Sequence, residues 1–228
     1  PCGRCDNGGR DALFKVKAVI FDNDGTRVYS MPGIVRSWAQ LAAEFGGSGE
    51  VEGNFHGRSS ADIIRDLVGA QQLDHAIARI NELEVEHAGD TVPNDGVLDL
   101  LAAIPADRFA VASSGTHVVI DARLKAAGIE RPAVVVSADD VEHAKPAPDI
   151  FLAACAGLGY PPSECLVVED ATSGVQAGKA AGCPVLAVTT TTPAEQLQQA
   201  GADLVVASLV DVELRLVDDW LEVRRRRA

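Results

Sequence analysis

Phe21-Asp22-Asn23-Asp24-Gly25-Thr26 sets two carboxylates two residues apart, directly after a short apolar run. In a regular strand their side chains would share one face, and Gly25 lets the chain turn at once. Two acids so placed repel each other unless a proton or a cation lies between them. Asn-Asp-Gly is also an ordinary turn sequence, so the pair alone decides nothing. A second acidic group, Glu169-Asp170, follows the run Cys165 to Val168. Helix capping by Asp170, Thr172 or Ser173 is the simple account of it. Two acid clusters at strand ends of one sheet instead point to a shared magnesium site. That ion takes oxygen ligands and keeps waters and a substrate phosphate.

Two further segments complete a reaction. Ser113-Ser114-Gly115-Thr116 offers small hydroxyls and backbone N–H groups that can cradle a phosphate, although most such sequences are helix caps. Lys145 precedes Pro146, which holds it extended, and Pro148 falls near the start of the next helix. Together the four segments describe phosphate-ester hydrolysis. Asp22 attacks phosphorus and becomes an aspartyl phosphate. Asp24 protonates the leaving alcohol and then activates water. Magnesium, Lys145, Ser113, Ser114 and backbone N–H groups neutralise the phosphoryl oxygens.

These residues need a frame, and the apolar runs supply one. Val16 to Phe21 reads as a single buried strand, as do Phe109 to Ala112, Ala133 to Val136, Cys165 to Val168, Val185 to Val188 and Asp203 to Val206. Helical patterns lie between most of them, which predicts an α/β fold with an open parallel sheet covered on both faces. Ligands of such sheets bind beyond the carboxyl ends of the strands. The stretch 30–92 shows helical spacing and no convincing strand, and reads as a small helical cap inserted after the first strand. The expected division is a catalytic core over 14–29 and 93–228, a cap over 30–92, and a flexible leader over 1–13.

Composition narrows the partners. The formal net charge of −13 argues against nucleic acid and anionic membranes. It also repels phosphate esters, so a phosphate site must create its own positive field. No uninterrupted apolar run spans a membrane and no apolar leader precedes Val16, so a cytoplasmic protein is expected. Cys2 and Cys5 form a CxxC with no second half to complete a zinc site, and reduced thiols are the simpler reading. Arg224 to Arg227 reads as a frayed helix end. The expected partner is a small phosphorylated metabolite, and the expected assembly a monomer, with a dimer as the alternative.

The order of motifs, Asp-x-Asp-Gly-Thr, Ser, Lys-Pro and Glu-Asp, resembles the haloacid dehalogenase-like hydrolase superfamily over about Val16 to Val188. The resemblance implies a Rossmann-like three-layer core, a helical cap and magnesium. It implies that Asp22 and Asp170 supply metal-binding carboxylates and Asp24 its backbone carbonyl, with Glu169 the neighbouring acid. His56-Gly57-Arg58-Ser59, Ala112 to Thr116, Arg131-Pro132 and Ala177 to Cys183 are similar to the glycerol-3-phosphatase and 2-deoxyglucose-6-phosphatase branch. That likeness implies a sugar or polyol phosphate as substrate, with His56 and Arg58 contacting it from the cap. A phosphosugar mutase resembling β-phosphoglucomutase shares all four motifs and is the alternative. A dehalogenase or a silent binding protein fits the intact acid set less well. Two departures stand out: Arg27 replaces a usual apolar residue, and Ala144 stands where Gly is common.

Overall fold

The computed structural model describes residues 12–45, 63–65, 68 and 70–226. The chain first forms β1 (Phe14–Val16) and then β2 (Ala18–Phe21). A two-residue strand β3 (Val28–Tyr29) leads into α1 (Met31–Phe45). The helix α2 (Leu73–Glu86) and β4 (Val92–Pro93) bring the chain back. Then come α3 (Val97–Ala103), β5 (Phe109–Ala112), α4 (His117–Ala126) and β6 (Val134–Val136). They are followed by α5 (Asp149–Leu158), β7 (Cys165–Glu169), α6 (Thr172–Ala181) and β8 (Val185–Val188). The chain ends with α7 (Ala194–Gln199), β9 (Leu204–Val206), β10 (Val212–Val217) and β11 (Trp220–Arg225).

Six of these strands make one parallel sheet in the order β6-β5-β2-β7-β8-β9. The expected α/β class is therefore the observed one. β2 lies at the middle, with Phe21 opposite Val111 on one side and Val168 on the other. Its side chains alternate between faces, as a strand requires. Val19 and Phe21 pack with Val97, Leu100, Ile120 and Leu124. Ala18 and Ile20 pack with Ile150, Phe151, Val175 and Ala177 on the opposite face. Burial on both faces explains why these strands read as continuous apolar runs rather than alternating ones. The chain order reverses between β2 and β7, and the crevice beyond such a switch point is where ligands bind.

The predicted single strand from Val16 to Phe21 is two strands. The break is at Lys17, whose N–H donates to Glu164 O at 2.8 Å and whose Nζ meets Asp219 at 2.8 Å. β1 therefore leaves the parallel sheet and pairs antiparallel with β11. At the end of the expected leader, Leu13 donates its N–H to Val223 O at 2.8 Å, and residues 1–11 lie outside the described residues. The C-terminal basic run is likewise not a helix end. Arg224 and Arg225 lie in β11, which pairs antiparallel with β10. The hairpin turns at Asp218 and Asp219, with φ of 46° and 66°. Positive φ at both central residues is the mark of a tight hairpin whose twist matches its strands.

Between β3 and β4 the chain makes a helical insertion with an apolar cluster of its own. Ile34, Trp38 and Leu41 of α1 meet Ile64 and, from α2, Ile80 and Leu83. The insertion closes on a two-stranded antiparallel ribbon, Val28 opposite Pro93 and Tyr29 opposite Val92. A strand residue at Val92 was not expected in this stretch. Among the described residues, no helix is long and apolar enough to cross a membrane. Cys2, Cys5, His56, Arg58 and Arg227 lie outside the described residues.

Arg27 does not face the insertion. Its side chain is fully buried, its Nη2 donates to Glu130 O at 3.0 Å, and its guanidinium lies 5.6 Å from the Phe109 ring centre. Nε and Nη1 have no partner. Burial pushes the guanidinium down to about 10. A charge so desolvated and half-satisfied costs more than an apolar chain of similar length. Glu130 is exposed, so water can replace the lost donor at its carbonyl. Arg27→Met is therefore expected to stabilise the fold by about 1 kcal/mol. An unchanged or lowered urea midpoint would contradict this account.

Candidate active site

The parallel register delivers the acids to one place. Asp22 follows β2 and its N–H donates to Val168 O at 2.9 Å, which aligns it beside the end of β7. There Glu169 and Asp170 wait, and oxygens of all three carboxylates lie within 4.8 Å of one another. All three residues are buried.

Lys145 is inserted among them. Its Nζ donates to Asp22 Oδ1 at 2.6 Å, to Glu169 Oε1 at 2.8 Å and to Ala112 O at 3.2 Å. An ammonium has three protons, so all are used. The lysine side chain is 1% exposed. It leaves the loop at a cis Lys145–Pro146 bond, and Phe151 of α5 packs against it, with Nζ 5.1 Å from the ring centre. Two prolines and one aromatic thus aim a residue type that ordinarily seeks water.

The simple capping account of Glu169-Asp170 fails. The Asp170 carboxylate accepts from Thr26 Oγ1 at 3.1 Å and from Thr191 Oγ1, and α6 begins after Ala171 with no side-chain cap. Glu169 instead curls back on the backbone: its Oε2 accepts from Asp170 N and Ala171 N, each at 2.8 Å. Two glycines leave room for these carboxylates. A Cβ on Gly174 would strike the Glu169 carboxylate. Gly25, at φ 88°, would strike Asp170. These are the positions where close approach forbids any larger residue.

Asp24 turns elsewhere. Its Oδ1 accepts from Ser30 Oγ at 2.6 Å, and its Oδ2 meets Arg123 Nη1 at 2.7 Å. Arg123 of α4 also reaches Glu84 of α2 at 3.5 Å. Ser113 directly follows β5; it is 2% exposed and its Oγ accepts from Gly115 N at 3.2 Å. Ser114 is half-buried in the next position. Lys145 ties this loop to the acids through Ala112 O.

The electrostatics follow from burial. Desolvation pushes the Asp22 carboxyl up to about 7, held back by Lys145 and raised further by Glu169 and Asp24. Desolvation also pushes Asp170 well above the carboxylate range, with help from the Glu169 and Asp22 charges. Burial alone would lower the Lys145 ammonium, but the Asp22 and Glu169 charges outweigh it and leave it raised. Three carboxylates against one ammonium leave a surplus of negative charge, relieved by a proton or a cation. The donors are all oxygen, which suits a hard divalent cation such as magnesium. Asp22 and Asp170 face this surplus directly, while both Glu169 oxygens already have N–H donors.

Comparison with known proteins agrees with this geometry. Residues 16–182 match the family described as haloacid dehalogenase-like hydrolase. The chain belongs to that family. Hexitol phosphatase A of Escherichia coli (strain K12) is 36% identical over 207 residues, which is 87% of this chain and 94% of that protein. Glycerol-1-phosphate phosphohydrolase 2 of Saccharomyces cerevisiae is 32% identical over 205 residues, 84% of this chain and 82% of that protein. A solved structure described as a putative β-phosphoglucomutase from Bacteroides vulgatus superposes with a TM-score of 0.70 at 30% identity. It covers 85% of this chain and 84% of its own. The family resemblance read from the motifs is thus the family found.

Of the residues singled out from sequence, Asp22, Glu169, Asp170 and Lys145 meet directly, and Ser113 borders them. Asp24 lies one turn aside, and His56 and Arg58 lie outside the described residues. Sequence reading missed Ser30, Thr191, Glu84 and Arg123. Arg123 had no local signal, being one arginine in a helical pattern.

The raised Asp22 and Asp170 carboxyls set a pH dependence. Each binds its proton more tightly folded than unfolded, so between the unfolded value near 3.8 and the folded value the native state holds extra protons. Stability then falls as pH rises through that window. Without divalent cations, the thermal midpoint should drop between pH 5 and pH 8. Asp170→Asn should flatten the drop, and a midpoint that rises with pH would refute it.

Proposed function

We propose that this chain is a magnesium-dependent phosphatase that hydrolyses a small sugar or polyol phosphate through Asp22. The observation that carries the reading is the Lys145 ammonium held between Asp22 and Glu169 at the ends of neighbouring strands. That contact favours the ionised form of Asp22 against its burial and fixes it in a dry crevice, as a nucleophile requires. The names of the hexitol and glycerol phosphate relatives support the substrate class.

The residues divide the work. An Asp22 oxygen forms a bond to phosphorus as the bond from phosphorus to the alcohol oxygen breaks. Asp24 gives its proton to that departing oxygen, then takes a proton from the water that releases phosphate from Asp22. Lys145 and the Ser113-Ser114 turn face the phosphoryl oxygens, and Ser113 keeps its hydroxyl proton to donate. Glu169 holds Lys145 in place. Asp22, Asp170 and the Asp24 backbone carbonyl would hold magnesium, which supplies charge neutralisation for the phosphoryl group when bound. We take 30–92 as the cap that shields this crevice, with His56 and Arg58 toward the substrate. The buried thiols of Cys155, Cys165 and Cys183 are unbonded, which supports a reducing, cytoplasmic setting.

The likeness to the β-phosphoglucomutase fold keeps one competing outcome: return of the phosphoryl group to a second hydroxyl. A phosphate-release screen with magnesium over glycerol, hexose, hexitol and nucleotide phosphates separates them. Free phosphate should appear with sugar or polyol esters, stop on chelation, and fall at least about a thousandfold in Asp22→Asn. Isomerised sugar phosphate without phosphate release would favour the mutase, and turnover surviving in Asp22→Asn would end this mechanism.

A further inference from the structure

Arg123 is a core residue with an unusual pair of neighbours. It rises from α4, is 4% exposed, and has a carboxylate on each side. Asp24 Oδ2 is 2.7 Å away and belongs to the catalytic turn. Glu84 Oε2 is 3.5 Å away and belongs to α2 of the helical insertion. Glu84 is itself 6% exposed and accepts a hydrogen bond from the Trp38 side chain of α1. Nearby, Thr116 Oγ1 donates to Asn81 Oδ1 at 3.4 Å, a second contact between the core and α2. The guanidinium is thus the buried junction of the acid/base residue with the insertion.

One cation shared by two carboxylates binds each less firmly than it would bind either alone. A guanidinium 2.7 Å from Asp24 holds that carboxylate in a fixed direction. Glu84 takes part of the same charge only while α2 lies against α4. If α2 withdraws, Arg123 is left to Asp24 alone.

Building on the phosphatase reading, we propose that Arg123 is a positioning residue for Asp24, and that Glu84 tunes its grip according to how α2 is seated over the core. The seated insertion then leaves the Asp24 carboxylate free to turn toward the leaving oxygen. Ser30, just before α1, holds the other Asp24 oxygen at 2.6 Å, so one oxygen is anchored from the insertion side and the other from α4.

The test is leaving-group dependence. An alkyl phosphate such as glycerol 3-phosphate needs an acid to protonate its alkoxide, whereas p-nitrophenyl phosphate leaves as a stable phenolate without one. Arg123→Gln should lower kcat on the alkyl ester by about tenfold or more, while kcat on p-nitrophenyl phosphate stays within about threefold. Arg123→Lys, which keeps charge but loses the fork, should restore part of the alkyl rate. Glu84→Gln should depress the alkyl rate in the same direction by less, because Arg123 then grips Asp24 unshared. Equal losses on both esters, or no loss on either, would overturn the proposal. If Arg123→Gln does not fold, the other two variants carry the same ratio. Asp22→Asn run alongside keeps the two ideas apart: turnover there ends the phosphatase reading, whatever Arg123 does.

Discussion

Three carboxylates and one ammonium share a single dry space, and the fold is arranged around that constraint. Asp22 and Glu169 each lie within 3 Å of the Lys145 nitrogen, and the lysine side chain is 1% exposed. Buried ion clusters of this kind are poor stabilisers, because desolvation offsets much of the attraction. The stability comes from elsewhere: β2 and β7 are apolar on both faces and pack under helices on each side. The central strands hold the cluster together, and the cluster does not hold them.

The constraint reaches into the backbone. Gly25 and Gly174 carry no side chain because Asp170 and Glu169 fill the space one would need. Glu169 bonds the first amides of the turn into α6, so the residue that fixes Lys145 also shapes the loop bearing Asp170. Meanwhile Asp22 and Asp24, only two residues apart, have different surroundings. One faces a lysine and two acids, the other a serine and an arginine. Distinct environments for paired acids are what distinct roles in one reaction require.

Much of this was legible in the sequence because fully buried parallel strands are written as plain apolar runs, and each relevant run ends at a candidate site residue. Asp22, Ser113 and Glu169 could be placed on strand ends without coordinates. What failed was decided by distant contacts. Lys17 looks like one polar residue within a strand, and only Glu164 and Asp219 make it a break. The terminal arginines masked a hairpin whose signal was present: alternation from Val212 to Val217, then Asp218-Asp219, then Trp220 onward. Arg123 and Glu84 carry no motif because their meaning lies in a contact between separate parts of the chain. Arg27 stood out only as a replacement of a usual apolar residue, and its side chain runs into the core toward Glu130.

The charge problem posed by composition returns here in sharper form. A chain of net charge −13 must attract a phosphate dianion. Lys145 is the obvious attractor, but Asp22 and Glu169 already neutralise it, and Asp170 adds to the surplus. Arg123 is likewise claimed by Asp24 and Glu84. Neither Lys145 nor Arg123 offers net positive charge to a ligand. Among the described residues at this crevice, the attraction is left to groups that carry no formal charge or to one brought in. The Ser113-Ser114 turn supplies amide and hydroxyl donors of the first kind. A divalent cation supplies the second, and it cancels what three carboxylates leave over after one ammonium. Protonating Asp22 would also relieve the surplus, but would take the charge from the carboxylate beside Lys145. The same crowding that raises its pKa therefore gives the site a surplus of negative charge that a cation would relieve near neutral pH.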